Sequence, residues 1–176
     1  MEQVILVDQD DVQTGTMEKM EAHQKALLHR AFSVFIFNDS GEMLLQQRAL
    51  TKYHSGGLWT NACCSHPKPN ETTIEAATRR LQEELGFTTS LTKAFHFTYK
   101  AVFDNGLTEH EFDHVFIGKH NGKVAFNFEE VENYAYRSIA QIDETVAHNG
   151  HFFTEWFLIA YPLLKDWLKT NGLPKL

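Results

Sequence analysis

Two cysteines, a serine and a histidine stand together in TNACCSHP, residues Thr60 to Pro67, directly after Trp59. A thiol, a hydroxyl and an imidazole at that spacing can form a disulfide, a metal clip, a buried strand end or a proton-transfer site. A bridge between neighbouring cysteines closes a small strained ring, and two cysteines in the whole chain make no disulfide framework. The other readings stay open at this point. Farther along, EHE (Glu109 to Glu111) lies in a strand-like run, so Glu109 and Glu111 share one face and His110 takes the other. Two carboxylates that close repel each other unless a cation or a shared proton offsets them; the plain alternative is an exposed acidic edge. His23 and His29 flank QKALL at a spacing that fits no single helix face, so they converge only where the chain bends between them. With His66, these imidazoles and carboxylates would make a nitrogen and oxygen donor set suited to manganese, magnesium or zinc. Spacing alone does not bring the five together.

A further group sits in TTIEAATRRLQEEL, Thr72 to Leu85, where Ile74, Ala77, Leu81 and Leu85 recur at helical spacing. Thr72 with Glu75 three residues on fits a capping box, and Gly86 supplies the stop. Arg80 and Glu84 fall one turn apart, on the side roughly opposite the apolar stripe, where a solvated ion pair is the ordinary outcome.

The elements that must position these groups are legible in outline. Val4 to Asp8 reads as a short strand, DQDDVQTG as a polar turn, and TMEKMEAHQKALL as helix-prone. AFSVFIFNDSGEMLLQQRA gives two strand-like runs joined at Asn38 to Gly41, and AFHFTYKAVFDNGLTEHEFDHVFIGKH gives two more around Asp104, Asn105 and Gly106. LWTNACCS is a candidate strand, with Thr60, Asn61 and Ala62 completing it and Cys63 and Cys64 facing opposite ways. ENYAYRSI is a further strand, AQIDETVAHNG a short helix, and TEWFLIAYPLLKDWLKTNG a terminal helix kinked near Pro162. Strands mixed with a few helices suggest an α+β or α/β sandwich around a mixed sheet.

Composition sets the bounds. A chain of 176 residues with 43% hydrophobic content suits one globular domain that buries roughly 70% of the surface its unfolded form exposes. A net charge of -7 argues against nucleic-acid binding, which normally shows as a basic stripe, so an anion must be met locally. The opening MEQVILVDQDD lacks a basic leader and an apolar signal core, and WFLIAYPLL is too short to span a bilayer. A cytoplasmic protein without a membrane partner is expected.

The stretch from Ser65 through Glu71 and Arg79 to Glu83, Glu84 and Gly86 resembles the Nudix box, in which a glycine, a glutamate and then Arg-Glu-U-x-Glu-Glu-x-Gly-U follow at fixed spacing, U being bulky and aliphatic. Glu71, Arg79, Leu81, Glu83, Glu84 and Gly86 fall in register. Ser65 and Arg80 stand where the family has Gly and Glu, and Phe87 is aromatic at the last U. In Nudix hydrolases the helix carboxylates hold magnesium against a diphosphate. Arg80 removes one hard oxygen ligand and installs a cation able to meet phosphate directly, which bends the box toward binding a diphosphate rather than cleaving it.

Taken with TGTMEKMEAHQKALLHRAFSVFIFN, LLQQRALTKYHSGGLWTNACCSHP, EAATRRLQEELGF, FTYKA, EHEFDHVF and TEWF, nearly the whole chain resembles the type I isopentenyl diphosphate isomerases of the Nudix superfamily. The resemblance implies an α/β/α sandwich, a Nudix-like mixed sheet flanked by helices. It also implies one domain over residues 1–176, with a core at about 28–162 and an N-terminal extension that contributes ligands. It implies that Cys64 and Glu111 are acid/base groups on opposite faces of an alkene, with Tyr99 assisting Glu111. It makes His23, His29, His66, Glu109 and Glu111 ligands of a protein-bound divalent metal, manganese, magnesium or zinc. Glu84 and the Cys64 main-chain carbonyl would hold a magnesium ion bridging to the substrate diphosphate. Lys19, Arg48, Lys52 and Arg80 would bind that diphosphate, and Trp156 would lie over the hydrocarbon. The implied partner is a small-molecule diphosphate, and the implied state a monomer or weak homodimer. A Nudix pyrophosphohydrolase and a non-catalytic metal- or diphosphate-binding module are the rival readings. Cys63 receives no catalytic role.

Overall fold

The protein is described from a computed structural model covering residues 2–52, 54–103 and 106–173. Its sheet is organised by β3 (His29–Phe37), whose run of apolar residues is buried on both faces, as a central strand between two layers requires. Phe32, Val34 and Ile36 pack with Leu81 and Leu85 of α2 (Thr73–Leu85), whereas Phe35 and Phe37 pack with Phe157, Tyr161 and Leu164 of α4 (Glu155–Asn171). Ile142 of α3 (Ile139–Asn149) joins the second cluster. This is the expected α/β/α arrangement with a mixed sheet.

Along one edge β3 pairs in parallel with β8 (Thr108–Lys119), which pairs antiparallel with β7 (Leu91–Val102). The other edge is shared. It meets β1 (Gln3–Val7) at His29, β6 (Cys63–Ser65) at Phe32 to Val34, and β4 (Met43–Arg48) only at Ile36 and Phe37. Strand β4 then departs to pair with β9 (Val131–Arg137) and the short β5 (Trp59–Thr60). The β3–β4 connection is the expected antiparallel turn. Of the second expected turn, Asp104 and Asn105 lie outside the described residues, but the strands on either side pair as anticipated.

Three local expectations are revised. Gln13 to Gly15, read as the end of a polar turn, and Thr16 to Glu18, read as the start of a helix, form β2 (Gln13–Glu18), because β1 offers an antiparallel edge; the helix that follows, α1, is only Lys19–Gln24. The strand expected through Asn61 and Ala62 is interrupted there, where the Asn61 amide donates to the carbonyls of Val34 and Cys63. Ile74 is exposed, and Glu84 takes a place on the buried face of α2 with Ala76, Ala77, Leu81 and Leu85. The terminal helix is present as expected, with Pro162 inside α4.

Helix α2 has the signalled ends. Thr72 and Glu75 form a reciprocal capping box, and Gly86 closes the helix at φ 75°. A Cβ on Gly86 would stand 2.3 Å from the Ala125 carbonyl oxygen, so glycine is needed both for the left-handed turn and for the close approach.

Candidate active site

Register brings the polar groups together. Tyr99 of β7 is paired with Glu111 of β8, and Glu111 with His29 of β3, so three strands present a hydroxyl, a carboxylate and an imidazole in one row. His23 comes from α1, after which the chain turns through Ala26 at φ 53° before β3 begins at His29. His66 follows β6 directly.

One donor atom from each of His23, His29, His66 and Glu111 lies within 4.8 Å of the others, and all four side chains are buried. His23 Nδ1 donates to the Lys19 carbonyl at 2.6 Å, and His29 Nδ1 to the Leu27 carbonyl at 2.8 Å. A neutral ring that donates from Nδ1 presents a lone pair at Nε2. His23 Nε2 is buried without a hydrogen-bond partner among the described residues. His29 Nε2 lies 3.2 Å from His66 Nε2, which is 2.8 Å from Glu111 Oε1. Inward lone pairs converging on a carboxylate fit a divalent cation, and the orphaned His23 nitrogen is a group such an ion would satisfy. Burial pushes His66 down to about 4, which keeps it neutral as ligation requires.

Glu109, the fifth expected donor, stands beside this cluster rather than in it. Its Oε2 is 3.0 Å from the Tyr99 hydroxyl and its Oε1 is 3.4 Å from His54 Nε2. The two carboxylates are driven apart electrostatically. Burial and the Glu111 charge push Glu109 well above the usual range; burial opposes the charge of Glu111 too, but the His29 and His66 imidazoles beside it hold it well below. Tyr99 has one proton to give and lies 2.7 Å from Glu111 Oε2. All three groups are satisfied when protonated Glu109 donates to the Tyr99 oxygen and Tyr99 donates to ionised Glu111.

Cys64 lines the same cleft as Tyr99, Glu109 and Glu111, while Cys63 is buried against α2 with its Sγ 3.5 Å from Glu84. The opening stretch therefore splits as the alternation predicted. Burial raises the Cys64 thiol well above its ordinary range, with the Arg48 cation pulling the other way.

Lys19, Arg48, Lys52 and Arg80 line the cleft as well. Arg80 and Glu84 are joined at 2.7 Å, but not on a solvated face as the spacing suggested: Glu84 is buried, and its other oxygen accepts from Gln46 Nε2 at 2.9 Å. Arg80 also contacts Glu130 at 3.2 Å, and Lys52 pairs with the second oxygen of Glu130. The Nε groups of Arg48 and Arg80 are buried without hydrogen-bond partners among the described residues, as donors awaiting an anion would be. Box residues Glu71 and Arg79 form a forked pair, at 2.7 and 2.8 Å, that ties the preceding loop to α2. Trp156 is buried, donates from Nε1 to Thr60 Oγ1 at 2.9 Å, and carries the Arg48 guanidinium 5.0 Å from its ring centre.

Sequence reasoning missed Ser33, Gln46, His54 and Glu130, all of which line the cleft, and Asp113, which accepts from Ser33 Oγ at 2.7 Å beneath it. None sits in a motif; only strand register and loop packing direct them here. Among the described residues no helix is long and apolar enough to cross a membrane.

Residues 27–157 match the NUDIX domain family. The isopentenyl-diphosphate Delta-isomerase of Pectobacterium atrosepticum is 49% identical over 165 residues, covering 94% of this chain and 92% of that protein. That of Serratia proteamaculans is 50% identical, covering 94% and 90%. Among solved structures, one from Deinococcus radiodurans superposes with a TM-score of 0.70 at 18% identity over 84% of this chain and 90% of that one. A MutT protein from Methanosarcina mazei does so at 0.64, with 18% identity over 82% and 95%; both likenesses concern the fold. The full-length identity, set on a box whose second glutamate is Arg80, means that this chain belongs to the NUDIX domain family and, within it, to the isopentenyl-diphosphate Delta-isomerases.

Proposed function

We propose that this enzyme interconverts isopentenyl and dimethylallyl diphosphate by moving a double bond one carbon along, through a carbocation-like intermediate. The observation that carries the reading is the convergence on one cleft of two proton-transfer groups, Cys64 and the Tyr99–Glu111 pair, with Trp156 and four cationic side chains. An isomerase needs a proton delivered to the terminal methylene and another taken from the carbon nearer the diphosphate. Glu111 with Tyr99 serves the first position and Cys64 the second, one on each face of the alkene.

Either direction requires one of these groups protonated and the other not. Burial leaves the Cys64 thiol with its proton, while Glu111 is ionised, so the resting pair is poised for the reverse transfer. Protonated Glu109, through the Tyr99 hydroxyl, is the reserve that charges the Glu111 side, and Arg48 is the cation that favours a thiolate at Cys64. Lys19, Arg48, Lys52 and Arg80 anchor the diphosphate, whose binding energy positions the alkene between the two groups. An indole face stabilises a desolvated cation by roughly 0.5–2 kcal/mol, which gives Trp156 a concrete task.

His23, His29, His66 and Glu111 would hold one divalent metal, manganese, magnesium or zinc, with Glu109 beside them as a fifth ligand after losing its proton. Such an ion would fix Glu111 and supply positive charge beside it. Glu84, which Arg80 and Gln46 already engage, would with the Cys64 carbonyl hold a magnesium ion that offsets the diphosphate charge. No membrane or nucleic-acid partner enters this cytoplasmic reaction, and a monomer or weak homodimer suffices for it.

The test is an incubation with isopentenyl diphosphate and magnesium in deuterated buffer. Dimethylallyl diphosphate carrying deuterium in a methyl group, with no phosphate or pyrophosphate released, is the expected result. Release of phosphate without isomerisation would point instead to a pyrophosphohydrolase.

A further inference from the structure

His54, in the loop between β4 and β5, lines the cleft and has no role in the chemistry above. Its ring is stacked on Phe103, centroids 4.8 Å apart at 19°, and meets Trp156 edge-on, at 5.8 Å and 87°. Its Nε2 faces Glu109 Oε1 at 3.4 Å, and its main-chain carbonyl accepts from Arg48 Nη2 at 3.3 Å. Behind it lie Tyr99, Ala101 and Trp156, a small apolar cluster separate from the two main cores, with Cys64 and Phe103 packed against it. One loop residue thus touches the indole, the aromatic ring beside it, the guanidinium over it and the outer oxygen of the carboxylate pair.

We propose that His54 is a positioning residue that closes the hydrocarbon end of the cleft, spanning Phe103 and Trp156 so that the indole is held and water is kept from the carbocation. The inference rests on the isomerase reading. Protonation of the terminal methylene uses the alkene electron pair to form a new C–H bond and leaves a tertiary cation. That cation has two exits. Loss of a proton from the carbon nearer the diphosphate restores a double bond. Attack by the oxygen lone pair of water forms a C–O bond instead, and the oxonium then gives up a proton to yield a tertiary alcohol diphosphate. Only exclusion of water selects the first exit, and the surface that excludes it must be apolar and continuous. An imidazole fits this position because its faces pack on rings while its Nε2 lies 3.4 Å from Glu109 Oε1, a buried carboxyl that phenyl would leave without a polar neighbour on that side.

The wall and the polar contact are separable by substitution. His54→Ala removes both, His54→Phe keeps the ring stack and drops the nitrogen, and His54→Gln keeps a polar end without a ring. With isopentenyl diphosphate as substrate and product analysis by mass and NMR, His54→Ala and His54→Gln are expected to form tertiary alcohol diphosphate and to lose on the order of tenfold to a hundredfold in kcat/KM, the cost of a misplaced reacting group. His54→Phe is expected to form none and to keep kcat/KM within a few-fold of the parent. Wild-type kcat/KM and no alcohol in His54→Ala would overturn the proposal, as would alcohol from His54→Phe with none from His54→Gln. If His54→Ala does not fold, the Phe and Gln variants carry the same comparison. Absence of isomerisation by the unsubstituted protein overturns the proposed function itself, whatever His54 does.

Discussion

Replacing Tyr99 by phenylalanine takes one oxygen from the centre of the carboxylate pair and leaves the ring volume in place. The hydroxyl stands 2.7 Å from Glu111 Oε2 and 3.0 Å from Glu109 Oε2, in a site where Tyr99 is 7% exposed. A hydrogen bond to a charged group is worth about 1.5–3 kcal/mol. If the proton reaches the substrate through this hydroxyl, all of that is lost from the transition state. At about 1.4 kcal/mol per decade the loss is roughly tenfold to 150-fold in kcat. KM for isopentenyl diphosphate should hold, because Lys19, Arg48, Lys52 and Arg80 are untouched. Stability should fall too, since two buried carboxyls lose a partner at about 1–3 kcal/mol, and each kcal/mol moves Tm by roughly 2–4 °C at this chain length. Initial rates across substrate concentrations give kcat and KM, and melting followed by circular dichroism gives Tm. A Tyr99→Phe protein whose Tm drops as expected while kcat stays within about twofold of the parent would refute the reasoning: the hydroxyl would then be structural, and the proton would take another route.

Other expectations follow from single contacts. Arg80→Ala should raise KM by on the order of tenfold or more with a smaller change in kcat, and Arg80→Lys should recover only part, since a lysine keeps the charge but not the fork that now reaches Glu83, Glu84 and Glu130. Steady-state rates at saturating magnesium check both. Gly86→Ala should destabilise the fold by about 2 kcal/mol or more, because alanine meets both the left-handed turn at φ 75° and the Ala125 carbonyl at 2.3 Å; the urea midpoint reports it. His114 is held by burial and the Lys93 charge at about 4, well below its ordinary 6.5. The unfolded chain therefore binds this proton first, so the contribution of His114 is complete above about pH 6.5 and is lost as pH falls toward 4. Urea midpoints measured from neutral pH downward should fall less steeply in His114→Gln than in the parent.

Much of the site was legible because its parts are local. The caps of α2 depend on Thr72, Glu75 and Gly86 alone, and the split between Cys63 and Cys64 or between Glu109 and His110 follows from a period of two. The bend demanded by His23 and His29 is where α1 ends and β3 begins. What was misread depended on a distant edge or face. Residues 13–15 read as turn and 16–18 as helix-prone, yet β1 offers the whole segment hydrogen bonds along its length. Glu84 looked solvated by its charge, yet Gln46 and Arg80 satisfy it under cover.

The sequence on its own was enough to specify that Cys63 and Cys64 face opposite ways, as do Glu109 and His110, and where α2 begins and stops, since both are properties of neighbouring residues and of the polypeptide's own periodicity. It also carried the family, because the box and its Arg80 substitution are matters of residue order. Tertiary structure alone decided that His29 falls in one row with Tyr99 and Glu111, since register between strands separated by tens of residues is set by packing on both faces of the sheet. It also decided which carboxylate of the pair keeps its charge. Glu109 and Glu111 are equivalent in sequence and nearly equal in burial, and the His29 and His66 imidazoles against Glu111 make the difference.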